Sequence, residues 1–127
     1  MLGQERLIAF VATAQPEPAR RFYTEVLGLG LVSDDPYALV FDAGGTMLRI
    51  QKVEALQPAG YTALGWRVAD VRSVITALRD KGIACERYGF LEQDELGVWT
   101  SPAGGKIAWF KDPDGNVLSL TEFADHG

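Results

Sequence analysis

The chain has 127 residues, of which 47% are hydrophobic, and its formal net charge is −5 at pH 7. A chain of this length and composition can bury a core without disulfides or a structural metal, so we expect a single domain spanning residues 1–127. Acidic side chains outnumber the scattered basic ones, 17 to 12. Because phosphate binding depends on clustered Lys and Arg, we expect no nucleic-acid partner.

The sequence also indicates the cellular context. Cys85 is the single cysteine, which excludes an intrachain disulfide and fits a reducing compartment. No stretch approaches the roughly 20 apolar residues of a membrane span, and the N-terminus lacks a signal-peptide pattern. We therefore expect a cytoplasmic protein with no membrane partner.

The first half of the chain predicts a strand, a helix and three further strands. Pro16 and Pro18 favour the first turn of a helix, and Gly28 favours its end. Between them an apolar stripe recurs at helical spacing: Ala19, Phe22, Tyr23, Val26 and Leu27. Short apolar runs of strand length occur at residues 7–11, 29–32, 37–41 and 47–53.

The second half repeats this order. A run at residues 64–68 predicts a strand, Asp70 is a suitable N-cap, and the helix that follows ends at Gly82. Strand-forming runs then occur at residues 84–88, 98–100, 107–110 and 117–121. The acidic segment at residues 92–95 is either a solvated connection or a lid.

The repeat is clearest in two hairpins. Residues 41–50 and 110–120 have the same pattern with one residue of difference in the loop. Self-similarity of this kind indicates a duplicated module. We place module one at about residues 5–56 and module two at about residues 61–124.

Two motifs relate the sequence to a known family. FYTEVLGL at residues 22–29 and WFKDPDGNVL at residues 109–118 resemble the vicinal-oxygen-chelate superfamily, which includes glyoxalases, bleomycin resistance proteins and dioxygenases. The resemblance implies an α+β fold of two tandem β-α-β-β-β modules. Their strands would form a curled eight-stranded mixed sheet around a cavity, with the helices outside. It also implies a homodimer.

The metal site of that family is not expected in this chain. Metal-dependent members hold His, Glu or Gln ligands at one position in the first and in the last strand of each module. The matching positions carry Ile8, Arg49, Ala63 and Ser119, which are not ligands for a divalent cation. The sole histidine, His126, cannot build a two-histidine iron centre. We expect no metal, no cofactor, and neither glyoxalase I nor extradiol dioxygenase activity.

A ligand pocket is predicted from strand alternation, because residues that share parity with those four positions face the same way. The family pattern adds Trp109, with Ile107 beside it, and Trp99 is a further candidate. Phe10 and Trp109 could equally belong to the core. The candidate ligand-binding residues are Phe10, Met47, Arg49, Gln51, Arg67, Trp99, Ile107, Trp109, Val117 and Ser119.

Two arginines are among these candidates. An inward-facing arginine needs a carboxylate or a bound anion to offset its desolvation. One interpretation is an internal pair with Asp42 or Glu86, or a side chain that reaches the rim. The other is that Arg49 occupies the abandoned metal position and binds a substrate carboxylate or enolate oxygen.

Three functions follow from this sequence. The first is a small-molecule binding protein without a metal centre, similar to bleomycin resistance proteins, that sequesters an antibiotic or metabolite. The second is a metal-independent lyase or isomerase that uses Arg49. The third is a domain that serves protein association alone. No nucleophile and base can be paired from the sequence, so no catalytic residue is assigned.

Overall fold

The computed structural model describes residues 1–124, and His126 lies outside that range. The chain divides between Pro58 and Ala59 into two compact units, which we call the first and second modules. Each has one four-stranded mixed sheet and one α-helix, the first module also has a short 3-10 helix at Leu2–Gln4, and the expected α+β class and tandem β-α-β-β-β order are confirmed. None of the described helices is long and apolar enough to cross a membrane.

The sheet of the first module has the strand order β1-β4-β3-β2. Strand β1 pairs with β4 in parallel, and the other two pairings are antiparallel. The helix continues as a π-helical turn at Phe22–Val26, and Gly28 ends it with a φ of 74°, as the sequence predicts. The elements are β1 (Ile8–Thr13), α1 (Pro16–Arg21), β2 (Gly30–Asp34), β3 (Ala38–Ala43) and β4 (Thr46–Lys52).

The sheet of the second module has the equivalent order, β5-β8-β7-β6, again with one parallel pairing, between β5 and β8. Asp70 caps the helix as predicted, since its carboxylate accepts the N–H groups of Arg72 and Ser73. The elements are β5 (Thr62–Arg67), α2 (Val71–Asp80), β6 (Trp99–Thr100), β7 (Lys106–Lys111) and β8 (Val117–Glu122).

The prediction of a strand at residues 84–88 is wrong. That segment has no regular secondary structure, and β6 is only two residues long. The reason is local: Glu86 donates its N–H to the carbonyl of Trp109 at 2.7 Å, but the N–H of Tyr88 goes to the side chain of Gln93. A side chain therefore replaces the neighbouring strand as hydrogen-bond partner.

The hairpin repeat is confirmed. Phe41 lies opposite Leu48, and Phe110 lies opposite Leu118, so the second hairpin contains one more residue. The turn of that second hairpin is held by Asp112, whose buried carboxylate accepts the N–H groups of Asp114 and Asn116. The Asp-Pro-Asp-Gly motif is therefore an architectural feature.

Most of the buried core of each module lies on the face of its sheet that the helix covers, although Ala38, Val40 and Val117 are buried on the opposite face. In the first module the rings of Tyr23 and Phe41 are 5.9 Å apart, and in the second α2 packs against β7 and β8. The opposite face of each sheet, which we call the far face, carries the residues of the other parity. The core strand residues are Val11, Leu39, Phe41, Leu48, Ile50, Ala108, Phe110, Leu118 and Leu120.

Candidate functional site

A cavity of about 380 Å³ lies on the far face of the second module. Its volume is in the range of small-molecule sites. Strand register brings Trp99 and Trp109 to the same face. Trp99 pairs with Ile107, and Ile107 has the same parity as Trp109, which in turn pairs with Ser119. We call this cavity the aromatic pocket. It is lined by Gly60, Tyr61, Thr62, Tyr88, Phe90, Leu91, Trp99, Trp109 and Val117.

The rings of the aromatic pocket contact one another in a row. Tyr88 meets Trp109 edge to face with centroids 5.5 Å apart, and it meets Phe90 at 5.8 Å. Trp99 and Trp109 are 6.3 Å apart. Phe90 and Tyr61 at the rim are 83% and 75% exposed. Such a wall of rings, none of whose lining residues is charged, suits a flat apolar or aromatic group.

The acidic loop beside the pocket is braced against the module. The carboxylate of Asp94 accepts the N–H groups of Leu96 at 2.9 Å and Val98 at 3.0 Å, and it pairs with Arg72 on α2. Arg87 donates to the carbonyls of Asp94 and Glu95, both at 2.7 Å. The loop that carries Tyr88 and Phe90 is therefore fixed by specific bonds.

All but one of the predicted pocket residues of the second module fall at or beside this cavity; the exception, Arg67, lines a separate cavity with Phe123. Trp99, Trp109 and Val117 line the aromatic pocket. Ile107 and Ser119 lie on the same far face as the cross-strand partners of Trp99 and Trp109. Gly65 leaves room for the Ser119 hydroxyl, which would lie 2.5 Å from a β-carbon at that position.

The predicted pocket residues of the first module do not line the aromatic pocket. Phe10 and Arg49 are direct neighbours on the far face of their own sheet, with Met47 and Gln51 at the flanking positions of β4. Phe10 is 51% exposed and Met47 is 43% exposed. Phe10 is therefore not a residue of the buried core, which was one of its two interpretations.

Within residues 1–124, neither Asp42 nor Glu86, the two acids considered as examples, forms a salt bridge with Arg49 or Arg67. Asp42 accepts the N–H of Gly45, and Glu86 pairs with Lys111 at 3.5 Å. The guanidinium of Arg67 lies 4.9 Å from the ring centre of Phe123, a cation–π contact.

Arg49 forms no salt bridge with any residue of the range 1–124. Its effect on an acid is indirect: the pKa of Asp35 lies below its ordinary value, mainly because the N–H groups of Tyr37 and Ala38 donate to it, with a weaker attraction from Arg49. Arg49 thus keeps its hydrogen-bonding capacity for a ligand.

Sequence reasoning missed the loop side of the pocket. Tyr61, Tyr88, Phe90 and Leu91 lie outside regular strands, so alternation does not assign them a face. One signal could have found them: residues 88–91 place two aromatic rings around Gly89 in an otherwise polar segment. Exposed aromatic residues in a loop are typical of a binding surface.

The residues present do not fit a divalent metal ion. Among residues 1–124 there is no group of three His, Cys, Asp or Glu side chains placed to hold one. Of the four positions implied by the family resemblance, Ala63 lies at a register irregularity in β5, and Arg49 carries a positive charge of its own.

Two side chains near the loop, the Cys85 thiol and the Tyr88 phenol, remain protonated at neutral pH. Burial raises the pKa of the Cys85 thiol, against a smaller lowering by Arg87. Burial also raises the pKa of Tyr88, and the nearby Glu86 carboxylate adds to that effect. Neither side chain is activated as a nucleophile.

Comparison with known proteins identifies the sequence family. The model of the Glyoxalase/Bleomycin resistance protein/Dioxygenase superfamily matches residues 7–120. Among curated proteins, none matches the sequence significantly.

Three solved structures illustrate the range of similar folds. TnmS3, an antibiotic-binding protein from Streptomyces sp. CB03234, has 25% identity and a TM-score of 0.74, covering 98% of this chain and 99% of its own. A bleomycin-binding protein complexed with bleomycin has 23% identity and a TM-score of 0.73, covering 94% and 98%. A lactoylglutathione lyase from Agrobacterium tumefaciens has 20% identity and a TM-score of 0.73, covering 94% and 95%. The fold is therefore common to binding proteins and enzymes.

Asp94 is expected to make stability fall as the medium becomes acidic. Burial raises the pKa of this carboxyl, but the N–H groups of Val98 and Leu96 and the Arg72 guanidinium lower it by more, so its pKa lies below the ordinary value. A carboxyl of this kind stabilises the fold above its unfolded pKa of about 3.9, and this contribution is lost as pH falls through the folded pKa.

We therefore expect the free energy of unfolding in urea to decrease more steeply between about pH 5 and pH 2.5 in the natural protein than in Asp94→Asn. Glu95→Gln changes a neighbouring, exposed carboxylate and serves as the control. Equal pH slopes for the natural protein and Asp94→Asn would contradict the role of Asp94.

Proposed function

Because the chain belongs to the Glyoxalase/Bleomycin resistance protein/Dioxygenase superfamily, we propose that it binds a small molecule without a metal and sequesters an antibiotic or metabolite. The observation that carries this proposal is the aromatic pocket, with its row of contacting rings and its uncharged lining. The ligand would place a flat aromatic or apolar group against Tyr88, Trp99 and Trp109, where stacking and burial stabilise it.

Similar proteins support this proposal. The Streptomyces protein binds an antibiotic, and another neighbour is complexed with bleomycin. The absence of suitable donors at the positions of family metal ligands supports a metal-free mode of binding. Retention of stoichiometric zinc, nickel or iron through dialysis would contradict that part of the proposal.

Ligand binding can be tested by substituting two tyrosines of similar exposure, one inside the pocket and one outside it. Tyr61 is 75% exposed and lines the pocket, whereas Tyr37 is 79% exposed and belongs to the first module. Bleomycin, ethidium and 8-anilinonaphthalene-1-sulfonate (ANS) are suitable probes, titrated by tryptophan or probe fluorescence. We expect at least one probe to bind, with a roughly tenfold loss of affinity in Tyr61→Ala and Trp109→Ala.

The matched control is Tyr37→Ala, which should bind like the natural protein. If none of the three probes binds, or if Tyr37→Ala weakens binding as much as Tyr61→Ala does, the aromatic pocket is not the binding site.

A second candidate function is favoured by Arg49. Its lack of a salt bridge within residues 1–124 supports a role in binding a substrate carboxylate or enolate oxygen in a metal-independent lyase or isomerase. Its neighbour Phe10 would supply an apolar contact to the same ligand.

Thermal unfolding with small carboxylic acids tests this alternative. Benzoate and pyruvate should raise the midpoint in the natural protein and in the surface control Arg6→Ala, but not in Arg49→Ala, because the bound carboxylate loses its cation. An equal shift in Arg49→Ala would exclude Arg49 as the anion site.

We further propose that the protein is a homodimer. Ile8, Phe10 and Met47 expose 44%, 51% and 43% of their surface on one far face, an apolar patch that a second subunit would remove from water.

Light scattering at micromolar concentration should give twice the chain mass of 13.8 kDa. Phe10→Lys should reduce the mass to that of one chain, because the dimer would bury an ammonium group beside the like-charged Arg49. Circular dichroism confirms that the variant is folded. A natural protein that is monomeric at these concentrations would contradict the proposal.

A further inference from the structure

We propose that Gln93 is the positioning residue of the aromatic pocket. It does not line the cavity, yet its side chain and backbone connect the chain segments that carry Tyr88, Trp99 and Trp109. The inference rests on the proposed ligand binding and assigns to a residue outside the pocket the task of keeping its rings in place.

The side-chain amide of Gln93 is fully used. Its Oε1 accepts the N–H of Tyr88 at 2.8 Å, and its Nε2 donates to the carbonyls of Glu86 at 2.9 Å and Gly97 at 2.8 Å. Both amide hydrogens and the oxygen therefore have partners. The reverse orientation would point the oxygen at two carbonyls, so the partners determine which way the amide lies.

The backbone extends these connections to both tryptophans. Gln93 forms an isolated antiparallel bridge with Trp99, at the edge of the sheet. Glu86, which accepts from the Gln93 amide, donates its own N–H to the carbonyl of Trp109 at 2.7 Å. Gln93 thus bonds directly to Tyr88, lies opposite Trp99 in the bridge, and is linked to Trp109 through Glu86.

The other bonds of the loop hold different segments: Asp94 holds Val98, next to Trp99, but only Gln93 accepts the N–H of Tyr88 among the bonds of residues 1–124. Arg87 and Arg72 hold residues 94 and 95, at the outer end of the loop. The N–H of Tyr88 is held by Gln93, and Leu91 donates back to the carbonyl of Tyr88 at 3.0 Å. Without the amide, the Tyr88–Phe90 segment would keep its attachment at Glu86 but lose the bond that fixes its direction.

Gly97, whose carbonyl accepts a hydrogen bond from Gln93, is itself tightly packed against Cys85. It has a φ of 93°, and a β-carbon at that position would lie 2.8 Å from Cβ of Cys85. A glycine is therefore required for the chain to turn back and present its carbonyl to Gln93. The groups that accept hydrogen bonds from the Gln93 amide, the carbonyls of Glu86 and Gly97, thus belong to the loop backbone itself.

The experiment compares Gln93→Leu and Gln93→Glu with the control Gln4→Leu, an exposed glutamine of the first module. Leucine removes the donors and the acceptor. Glutamate keeps an acceptor for Tyr88 but repels the two carbonyls until it is protonated, when one donor returns. Urea unfolding identifies the conditions in which each variant is folded.

Near-ultraviolet circular dichroism without probe reports the packing of Trp99 and Trp109. We expect an altered signal in Gln93→Leu and the natural signal in Gln4→Leu. In probe titrations, Gln93→Leu should bind ANS or bleomycin about tenfold more weakly than the natural protein. For Gln93→Glu the ratio of its affinity to that of the natural protein should rise as pH is lowered from 7 to 5, a recovery that Gln93→Leu should lack.

The outcomes separate this inference from the proposed function. An unchanged near-ultraviolet signal together with natural affinity in folded Gln93→Leu overturns the positioning role while ligand binding stands. If the signal changes but the natural protein binds neither probe, the binding function is overturned, and the role of Gln93 in it falls as well. A loss of affinity without the pH-dependent recovery in Gln93→Glu would also reject the amide as the cause.

Discussion

Side chains alternate between the two faces of a strand, and in each module a helix occupies one face. This constraint determines most of the structure. In the second module it sends Phe110, Leu118 and Leu120 to the buried side. It sends Trp109 and Ser119 to the other side, where no helix of that module covers them. A shift of one residue in register would exchange the two sets, which makes the core and the candidate site products of the same pairing.

The loop at residues 84–98 is organised by different physics. It forms no regular strand, and the side chains of Gln93 and Asp94 bind several of its backbone groups, among them the N–H groups of Tyr88, Leu96 and Val98. Side-chain hydrogen bonds of this kind are local and have no period that a pattern search can detect. The aromatic pocket contains residues positioned in both ways: strand pairing positions Trp109, and side-chain hydrogen bonds of the loop position Tyr88.

This difference explains how much could be predicted from the sequence. The helices, the order of strands, the cap at Asp70 and the turn around Asp112 follow from periodicity and turn chemistry, and all were confirmed. The prediction of a strand at residues 84–88 was wrong, because this run forms part of a loop in which the N–H of Tyr88 bonds to the Gln93 side chain. Val117 could be placed by parity and Trp109 by the family resemblance, with Trp99 as a further candidate, whereas Tyr61 and Phe90 could not be placed. Whether Arg49 forms a salt bridge depends on which acids lie near it in space; within residues 1–124 none pairs with it, and the sequence alone does not give that.

The loss of conformational entropy explains why hydrogen bonds that fix the loop before a ligand binds are favourable. Fixing the backbone of one residue costs roughly 1–2 kcal/mol at room temperature, and stacking of a ring on a ligand returns about the same amount. A mobile Phe90, which is 83% exposed, would therefore contribute little to affinity, because binding would have to order its segment. The hydrogen bonds of Gln93, Asp94 and Arg87 fix the loop when the protein folds, so the loop need not be ordered on binding. In a pocket whose lining has no charge to direct a ligand, preorganised rings are the main source of both affinity and shape selectivity.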